Sequence, residues 1–330
     1  MSDVRDVAAV ILAAGQGTRM RSSLPKVAHE IAGRALAAHV VKAARDAGVA
    51  RIVVVVGHGE SWVRDALAGE DVTFVRQVEQ RGTGHALATA REAFDEAPSA
   101  TFVLNGDGPL VRPETLRHLL EVHAAGPQPL RGVTLATVTV EDPTGLGRIV
   151  RDDAGTFVSI TEEADADDAT RKVREVNPGL FLVGADAWPR LDRLGDDNAQ
   201  GEMYLTDLPA LTLQDGDPVR AVPLADAHET LAANDRAELA QLDKVLQARI
   251  RDAWMQSGVT FHAPETTYLH VDVQLAPDVT IEPGVVLRRG TRVASGATIG
   301  AHAVLDDCVV EEGARVPPLT HAVGRTFSGS

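Results

Sequence analysis

The sequence predicts an α/β protein that combines a Rossmann-like domain, built on a mostly parallel sheet, with a short C-terminal left-handed parallel β-helix. Three observations predict this fold class. Apolar runs alternate with amphipathic stretches from residue 7 to about residue 225, a long segment without Gly or Pro follows, and six-residue repeats occupy the C-terminal part. We therefore place the first domain at 1–234, a linking helix at 235–258 and the β-helix at 259–330.

Short apolar runs mark the strands of the predicted sheet. Val7–Leu12, Arg51–Val56 and Thr101–Leu104 are uninterrupted, which is typical of parallel strands buried on both faces. Thr134–Val140 alternates more and predicts an edge strand or an antiparallel strand, and Ala86–Phe94 has helical spacing. This alternation of strands and helices predicts helices on both faces of the sheet.

The residues that follow the strands indicate where a ligand would bind. Ligands of such sheets bind beyond the carboxyl ends of the strands. Gly15, Gly57 and Asp107 each follow a predicted strand. We therefore expect them to gather on one rim.

The C-terminal part has a repeat of its own. An apolar residue recurs every six positions, at Leu275, Ile281, Leu287, Val293, Ile299 and Leu305. After a slip of one residue, the repeat continues at Val310 and Val316. A parallel β-helix, in which three hexads make one triangular coil, is favoured over chance alternation in a small sandwich. About eight hexads give fewer than three coils, and Pro317-Pro318 interrupts them. The open end of so short a coil predicts a homo-oligomer, formed by stacking or trimerisation.

Composition disfavours several classes of function. A formal net charge of −15 over 330 residues argues against binding to nucleic acids or to membrane surfaces. The hydrophobic content of 44% supports a substantial core, which must be mostly aliphatic because aromatic residues make up only 4%. The single cysteine, Cys308, excludes an internal disulfide, and no apolar run approaches the length of a membrane span. These features predict a cytoplasmic protein with neither a membrane nor a nucleic acid as partner.

The segment Leu12–Met20, with Pro25 and Lys26 after it, has the composition of a phosphate-binding loop. A strand opens into small residues and glycines, whose amides can point at anionic oxygens, and Arg19 and Lys26 add positive charge. A dinucleotide-binding fingerprint is excluded because Met20 stands in place of its third glycine, and no GxxxxGK[ST] motif occurs. The alternative is a turn whose glycines only relieve backbone strain; the two cations at this spacing favour phosphate.

The segment 105–109, Asn-Gly-Asp-Gly-Pro, places a carboxylate just after a strand. Asp107 is therefore our candidate ligand for Mg²⁺, which takes one or two protein oxygens and completes its octahedron with phosphate and water. The alternative is an Asp-Gly-Pro turn that binds nothing.

The segment Gln77–His85 combines amides, glycines and a threonine ahead of a helix. A glutamine side chain can donate and accept at once, which suits the imide edge of a uracil. Gly82 allows close approach of a base, and Thr83 can cap the helix. We expect His85 to give structural support, and a capped loop without a ligand is the alternative interpretation of the whole segment.

The phosphate loop has the form LxxGxGTRM…PK, and the chain resembles the sugar-1-phosphate nucleotidylyltransferases. The similarity covers nearly the whole chain and is closest to the N-acetylglucosamine-1-phosphate uridylyltransferases of the bifunctional bacterial type. This resemblance implies that Arg19, Lys26 and Asp107 are catalytic. It also implies that Asn234 joins Asp107 in holding Mg²⁺, whereas by sequence alone Asn234 is more simply the N-cap of a helix.

The resemblance also assigns substrate contacts. It gives uridine recognition to Gln77, Gly82 and Thr83. It places sugar contacts at Gly147, Glu162 and Asn177 and within Asn198–Asp207, a loop expected to close on the sugar. The substrate-binding set that it implies is Leu12, Ala13, Ala14, Gly15, Lys26, Gln77, Gly82, Thr83, Asn105, Gly106, Asp107, Gly147, Glu162, Asn177, Tyr204, Thr206 and Asn234.

The activity implied by the resemblance is Mg²⁺-dependent transfer of UMP from UTP to N-acetylglucosamine 1-phosphate. Two departures from the family pattern leave specificity open: Gly108 replaces a larger apolar residue, and Pro178 replaces a residue that often carries a hydroxyl. The alternatives are another sugar 1-phosphate or nucleotide, or a non-catalytic sugar-nucleotide-binding regulator. The bifunctional family has a longer β-helix with an acetyl-CoA-dependent site, so we expect no acetyltransferase activity from this chain.

Overall fold

The computed structural model describes residues 6–125 and 128–329. The chain divides into two compact units. One is formed by the chain up to His29 and by Ala35–Asp235, and the other by Glu30–Arg34 and the chain from Arg236 onwards. The long helix anticipated from the sequence spans Arg236–Gln256 and belongs to the second unit.

The first unit is a large β-sheet covered by helices. Its α-helices are α1 (Leu36–Asp46), α2 (Glu60–Ala66), α3 (Thr83–Thr89), α4 (Pro113–Ala124) and α5 (Leu208–Gln214). The strands of its sheet are β1 (Val7–Ala13), β4 (Arg51–Val56), β5 (Thr73–Arg76), β6 (Ala100–Asn105), β7 (Val133–Thr139), β8 (Gly147–Arg151), β9 (Phe157–Thr161), β10 (Glu175–Asn177), β11 (Phe181–Gly184) and β12 (Val219–Pro223). The strands β2 (Glu30–Ile31) and β3 (Arg34–Ala35) form a separate hairpin, of which Glu30–Arg34 belongs to the second unit.

The sheet has a parallel half and a largely antiparallel half. Its order is β5-β4-β1-β6-β11-β7-β10-β8-β9, and β12 pairs in parallel with β7. The strands β5, β4, β1 and β6 are mutually parallel, so their carboxyl ends share one edge. The strand β7 lies inside the sheet and runs antiparallel to β11 and β10, which confirms an antiparallel strand there but not an edge position.

Alternating residues of the central strands fill two separate cores. Ile11 and Val54 pack with α1 and α4 on one face of the sheet, whereas Val10 and Val53 pack with α3 and α5 on the other. These positions are at most 3% exposed. The uninterrupted apolar runs are thus a consequence of burial on both faces, and helices on both faces are confirmed.

The helix that follows the predicted base-binding segment is shorter than the spacing suggested. It ends at Thr89, and a 3-10 turn over Ala90–Ala93 continues to Phe94. Its buried residues Ala86 and Leu87 face the core, and Ala90 in the 3-10 turn does so too. Because the apolar spacing runs through the change of helix type, the sequence pattern did not show where the α-helix ends.

The second unit contains α6 (Arg236–Gln256) and a left-handed parallel β-helix. Each of its three sheets has four strands. The strands are β13 (Thr260–Phe261), β14 (Tyr268–Leu269), β15 (Gln274–Leu275), β16 (Thr280–Ile281), β17 (Val286–Arg288), β18 (Arg292–Val293), β19 (Thr298–Ile299), β20 (Val304–Asp306), β21 (Val309–Val310), β22 (Arg315–Val316), β23 (His321–Val323) and β24 (Thr326–Phe327).

The β-helix is longer than the hexads indicated, and the expectation of fewer than three coils was wrong. It begins at β13, before the first recognised hexad, and β23 and β24 follow Pro317-Pro318. The two prolines occupy a turn between β22 and β23, where no ladder N–H is needed, so they do not end the coil. The slip of one residue falls after Leu305, in a turn where Asp307 has φ 53°.

The interior of the β-helix is filled by the hexad positions and by smaller residues two positions before them. Leu287 and Ile299 are fully buried, and so are Val285 and Ala297. Cys308 is buried in the same core. Within the described residues, no helix is long and apolar enough to cross a membrane.

Helix α6 is attached to the first coil by hydrogen bonds from a buried glutamine. The Gln247 amide nitrogen donates to the Leu269 carbonyl (2.7 Å), and the Leu269 N–H donates to Gln247 Oε1 (2.9 Å). A side-chain amide thereby takes the place of a neighbouring strand. The tip of the β2–β3 hairpin joins the same group, because the Ala32 N–H donates to Asp243 Oδ1 (2.9 Å).

Candidate active site

A cavity of about 320 Å³ opens at the shared carboxyl edge of the parallel strands. It is lined by the ends of β1 and β6, by the residue after β5 and by the start of α3. The members of the predicted set that line it are Leu12, Ala13, Ala14, Gly15, Lys26, Gln77, Gly82, Thr83, Asn105 and Asp107. The structure thus brings the phosphate loop, the Gln77–His85 segment and the candidate metal ligand to one place.

A second cavity, of about 170 Å³, adjoins the first. The two have Leu12, Thr83 and Asn105 in common. The predicted sugar-contacting residues on its lining are Gly147, Glu162, Asn177 and Thr206. The predicted nucleotide and sugar contacts therefore lie in neighbouring spaces that meet at the ends of β1 and β6.

Four predicted residues do not line either cavity. Arg19 is exposed in the 3-10 turn Thr18–Met20, and Tyr204 is buried at 7% exposure. Gly106 packs behind the site, where its N–H donates to the Leu12 carbonyl (2.9 Å). Asn234 contacts the first cavity only through Lys26, which donates a hydrogen bond to it.

The Lys26 ammonium joins two oxygen-bearing side chains from distant parts of the chain. It forms an ion pair with Asp107 and donates a hydrogen bond to Asn234 Oδ1 (3.0 Å). The side chains of Lys26 and Asp107 are 18% and 13% exposed, so water screens this pair less than a surface pair. The two predicted metal ligands are therefore within reach of a single cation. Helix α6 begins at Arg236, two residues after Asn234.

Gly17 makes room for Lys26. It has φ 63°, and a Cβ atom at Gly17 would lie 2.6 Å from Lys26 Cβ. Gly17 is thus required both by its left-handed conformation and by the close approach of the lysine. Gly15 has no atom within 4 Å of such a Cβ, so the space above it is open.

The Gln77–His85 segment is held in shape by the Gln77 side chain. Gln77 is 4% exposed, and its Nε2 donates to the Gly82 carbonyl (3.2 Å) and contacts His85 Nδ1 (2.9 Å). Gly82 has φ 103°, and a Cβ there would lie 2.7 Å from the Met203 carbonyl oxygen. Only glycine fits this position without rearrangement. The support expected of His85 is seen in its contact with Gln77.

The loop Asn198–Asp207 packs directly on this segment. The Gly84 N–H donates to the Met203 carbonyl (2.8 Å), and the Met203 N–H donates to the Arg81 carbonyl (2.8 Å). Thr83 Oγ1 accepts from the Leu205 N–H (3.1 Å) and makes no cap to α3, so the predicted capping role was wrong. The hydroxyl instead accepts from a loop that is distant in sequence. Helix-capping patterns are local and do not predict such a contact.

Two polar residues on the first cavity were not predicted. Gln80 Nε2 donates to the Ala14 carbonyl (2.7 Å), next to the phosphate loop, and Glu202 lines the cavity from the other side. Gly57, which was expected on this rim, is packed there: a Cβ on it would lie 2.9 Å from the Ala14 carbonyl oxygen. Gln80 lies within Gln77–His85 and Glu202 within Asn198–Asp207, and both segments had already been identified from the sequence as candidates for substrate contact.

The second cavity contains a half-buried carboxylate. Glu162 follows β9, and its Oε1 accepts from Thr206 Oγ1 (2.8 Å). Burial raises the pKa of Glu162, and the charges of Asp207 and Asp165 act in the same direction. Its charged form is therefore less favourable than that of a carboxyl group in water, which is typical of functional positions.

Asn177, on the lining of the same cavity, is already engaged by protein groups. Asn177 donates to the Ala136 carbonyl (3.3 Å) and accepts from the Gly179 N–H (3.0 Å), which fixes the turn that follows β10. Burial also raises the pKa of Tyr204 to about 12.

The two departures from the family pattern lie close to Asn105. The Asn105 amide donates to the Pro178 carbonyl (3.4 Å), so proline still offers an acceptor at this position although it lacks an N–H. A Cβ on Gly108 would meet nothing closer than the Asn105 carbonyl oxygen at 3.6 Å. A Cβ at position 108 would therefore fit, and Gly108 itself lines neither of the two cavities.

Comparisons with known proteins agree with this geometry. Residues 9–208 match the family described as MobA-like NTP transferase domain. The bifunctional protein GlmU of Lactobacillus delbrueckii subsp. bulgaricus is 40% identical over 97% of this chain and 67% of its own length. The chain belongs to the GlmU family of NTP transferases.

Other GlmU relatives give the same picture. The bifunctional protein GlmU of Stutzerimonas stutzeri is 44% identical over 96% of this chain and 68% of its own length. That of Corynebacterium aurimucosum is 42% identical over 96% of this chain and 66% of its own length. The chain therefore spans about two thirds of the length of these relatives, and the matched domain contains both cavities.

Replacing the half-buried carboxylate of Glu162 should stabilise the protein at neutral pH. A carboxyl group whose folded-state pKa is raised costs stability once pH exceeds its ordinary range, and the cost is absent below that range. We expect Glu162→Gln to raise the urea midpoint at pH 8 and to leave it unchanged near pH 4. The glutamine oxygen can still accept from Thr206.

Glu163→Gln is the matched control, because a hydrogen bond from Arg148 lowers the pKa of Glu163. Its stabilising contribution is present at pH 8 and is lost as pH falls, so this variant should be destabilised at pH 8 and approach the wild type in acid. Equal midpoints for wild type and Glu162→Gln at pH 8 would contradict the assignment.

Proposed function

We propose that this chain transfers UMP from UTP to N-acetylglucosamine 1-phosphate, giving UDP-N-acetylglucosamine and pyrophosphate. Membership of the GlmU family supports this reaction. The observation that carries the proposal is the Lys26–Asp107–Asn234 cluster beside the glycine loop, because Lys26 and Asp107 line the same cavity as Gln77. Cation-binding and base-binding groups thus line the space in which a nucleoside triphosphate would bind.

The phosphate loop would hold the triphosphate. Gly15 leaves open space for close approach, and Lys26 supplies a cation inside the cavity. Arg19 is exposed on the same loop, so it would contribute charge from the solvent side. These local charges would offset the net charge of −15 that otherwise repels an anionic substrate.

Gln77, Gly82 and Thr83 would contact the uridine. They line the first cavity beyond the phosphate loop. Gly147, Glu162, Asn177 and Thr206 would surround the sugar in the second cavity. The carboxyl oxygens of Glu162 can accept hydrogen bonds from sugar hydroxyls.

We further propose a divalent metal as cofactor, with Mg²⁺ as the ion. The donor set fits a hard cation, since the Lys26 ammonium already bridges a carboxylate oxygen and an amide oxygen. No group of three or more His, Cys, Asp or Glu residues able to hold a metal occurs among residues 6–125 and 128–329. Asp107 and Asn234 would hold the ion, and phosphate and water would complete its coordination.

The chemistry is an in-line displacement at the α-phosphorus. An oxygen of the sugar 1-phosphate forms a bond to that phosphorus, and the bond to the bridging oxygen of the β-phosphate breaks, so pyrophosphate leaves. A bound metal would supply charge neutralisation at the two reacting phosphates. Lys26 would stabilise the added negative charge of the five-coordinate transition state. The remaining contribution of the chain is to hold both substrates in line.

The substrate assignment can be tested by pyrophosphate release. Purified protein would be assayed with UTP, dTTP, ATP and GTP, each against several sugar 1-phosphates, in magnesium buffer. We expect the highest kcat/KM for UTP with N-acetylglucosamine 1-phosphate. A different preferred sugar would indicate that Gly108 and Pro178 have changed specificity, and no release with any pair would favour a binding protein.

Removing the candidate metal ligand should abolish most of the activity. We expect Asp107→Ala to lower kcat for uridylyl transfer by about 10²–10³, because one preorganised charge contact in the transition state is lost. Asp153→Ala, at an exposed aspartate outside both cavities, is the matched control and should keep wild-type activity. Near-full transfer by Asp107→Ala in magnesium buffer would overturn this assignment.

For the β-helix we propose self-association into a homo-oligomer, a trimer. Residues 1–234 would then form the catalytic domain, 235–258 the linking helix and 259–330 the association domain. The last strands, β22 to β24, have neighbours on one side only within this chain. Sedimentation velocity at micromolar concentration should give a mass of three chains of 34.9 kDa, and a monomer would contradict the proposal.

A further inference from the structure

The Gln77 carboxamide is held in one orientation by its neighbours. The Gly82 carbonyl can only accept a hydrogen bond, so the group 3.2 Å from it must be the amide nitrogen of Gln77. That nitrogen has two hydrogens, and the second points at His85 Nδ1, 2.9 Å away. His85 Nδ1 must therefore be the unprotonated, accepting nitrogen of the imidazole.

Both donors of the Gln77 amide are thus used inside the protein. Its oxygen, Oε1, forms no hydrogen bond with any of the described residues. Gln77 is 4% exposed and lines the first cavity, so the group that it can offer to a ligand there is an acceptor. A buried acceptor without a partner favours a ligand that brings an N–H.

We infer that His85 is a positioning residue that sets the choice of pyrimidine, an inference that rests on the proposed function. Uracil carries an N–H at ring position 3, whereas cytosine carries a lone pair there. With Oε1 held towards the base, Gln77 would accept from uracil and would oppose cytosine. Discrimination arises because the wrong base leaves buried polar groups unpaired.

His85 contributes to this choice by making rotation of the amide costly. Turned by 180°, the amide would set Oε1 against the Gly82 carbonyl and lose that hydrogen bond, and it would keep the one to His85 only if the imidazole moved its proton from Nε2 to Nδ1. Without the imidazole, the rotation costs only the hydrogen bond to the Gly82 carbonyl. The turned amide would offer N–H groups that suit the ring nitrogen of cytosine.

The test is the ratio of kcat/KM for UTP to that for CTP, measured for the wild type and for two variants at His85. His85→Leu removes the acceptor, and His85→Asn keeps one, because the asparagine oxygen stands close to the position of Nδ1. We expect His85→Leu to lower the ratio about tenfold, the size expected for one neutral hydrogen bond, and His85→Asn to keep it.

The controls separate this inference from a structural role and from the proposed reaction. A structural role would lower kcat/KM equally for both nucleotides, so an unchanged ratio in His85→Leu overturns the inference. A wild type that uses UTP and CTP equally also overturns it. A wild type that uses neither refutes the proposed function itself.

A measurement on the wild type needs no variant to fold. In ¹⁵N NMR spectra at pH 7.5, we expect His85 as the tautomer protonated at Nε2, with an unprotonated Nδ1. Protonation at Nδ1 would make that atom a donor facing the Gln77 N–H groups, and finding it would overturn the inference.

Discussion

The contact of the Lys26 ammonium with Asp107 and Asn234 organises the candidate site. It ties together a loop after β1, a turn after β6 and the segment before α6. Two features allow it: Gly17 has no side chain to keep Lys26 away, and the parallel register sets Leu12 beside Asn105. A net charge of −15 makes such a cation necessary wherever the chain is to bind phosphate.

The same contact places two demands on one ammonium. Asp107 and Asn234 are the oxygens that we propose for a metal, and Lys26 is the cation that we propose for phosphate. A metal held by these oxygens would compete with Lys26 for them, and displacement would free the ammonium for the phosphate. On the proposed function, metal binding and phosphate binding would therefore favour each other. The coupling is electrostatic and acts within a single hydrogen-bonded group.

Sequence reasoning located the elements whose signal is local. The strand β4 was predicted within its observed limits because every residue after Arg51 is buried on a two-sided sheet. The hexads predicted the β-helix because its coils repeat one pattern of burial. Sequence reasoning missed features that depend on residues distant in the chain. Thr83 binds the Leu205 N–H, and Tyr204 is buried beside the cavities instead of lining them. Neither feature produces a periodic pattern in the sequence.

The two cavities are further coupled through the loop that packs on α3. Met203 exchanges backbone hydrogen bonds with Arg81 and Gly84, and Gly82 fits only because it has no Cβ beside Met203. The segment that presents Gln77 and the loop that carries Thr206 therefore form one hydrogen-bonded body. A displacement of the loop towards a sugar would be transmitted to Gly82, and Gln77 donates to the carbonyl of that same residue. On the proposed function, the choice of base and the choice of sugar would therefore depend on each other.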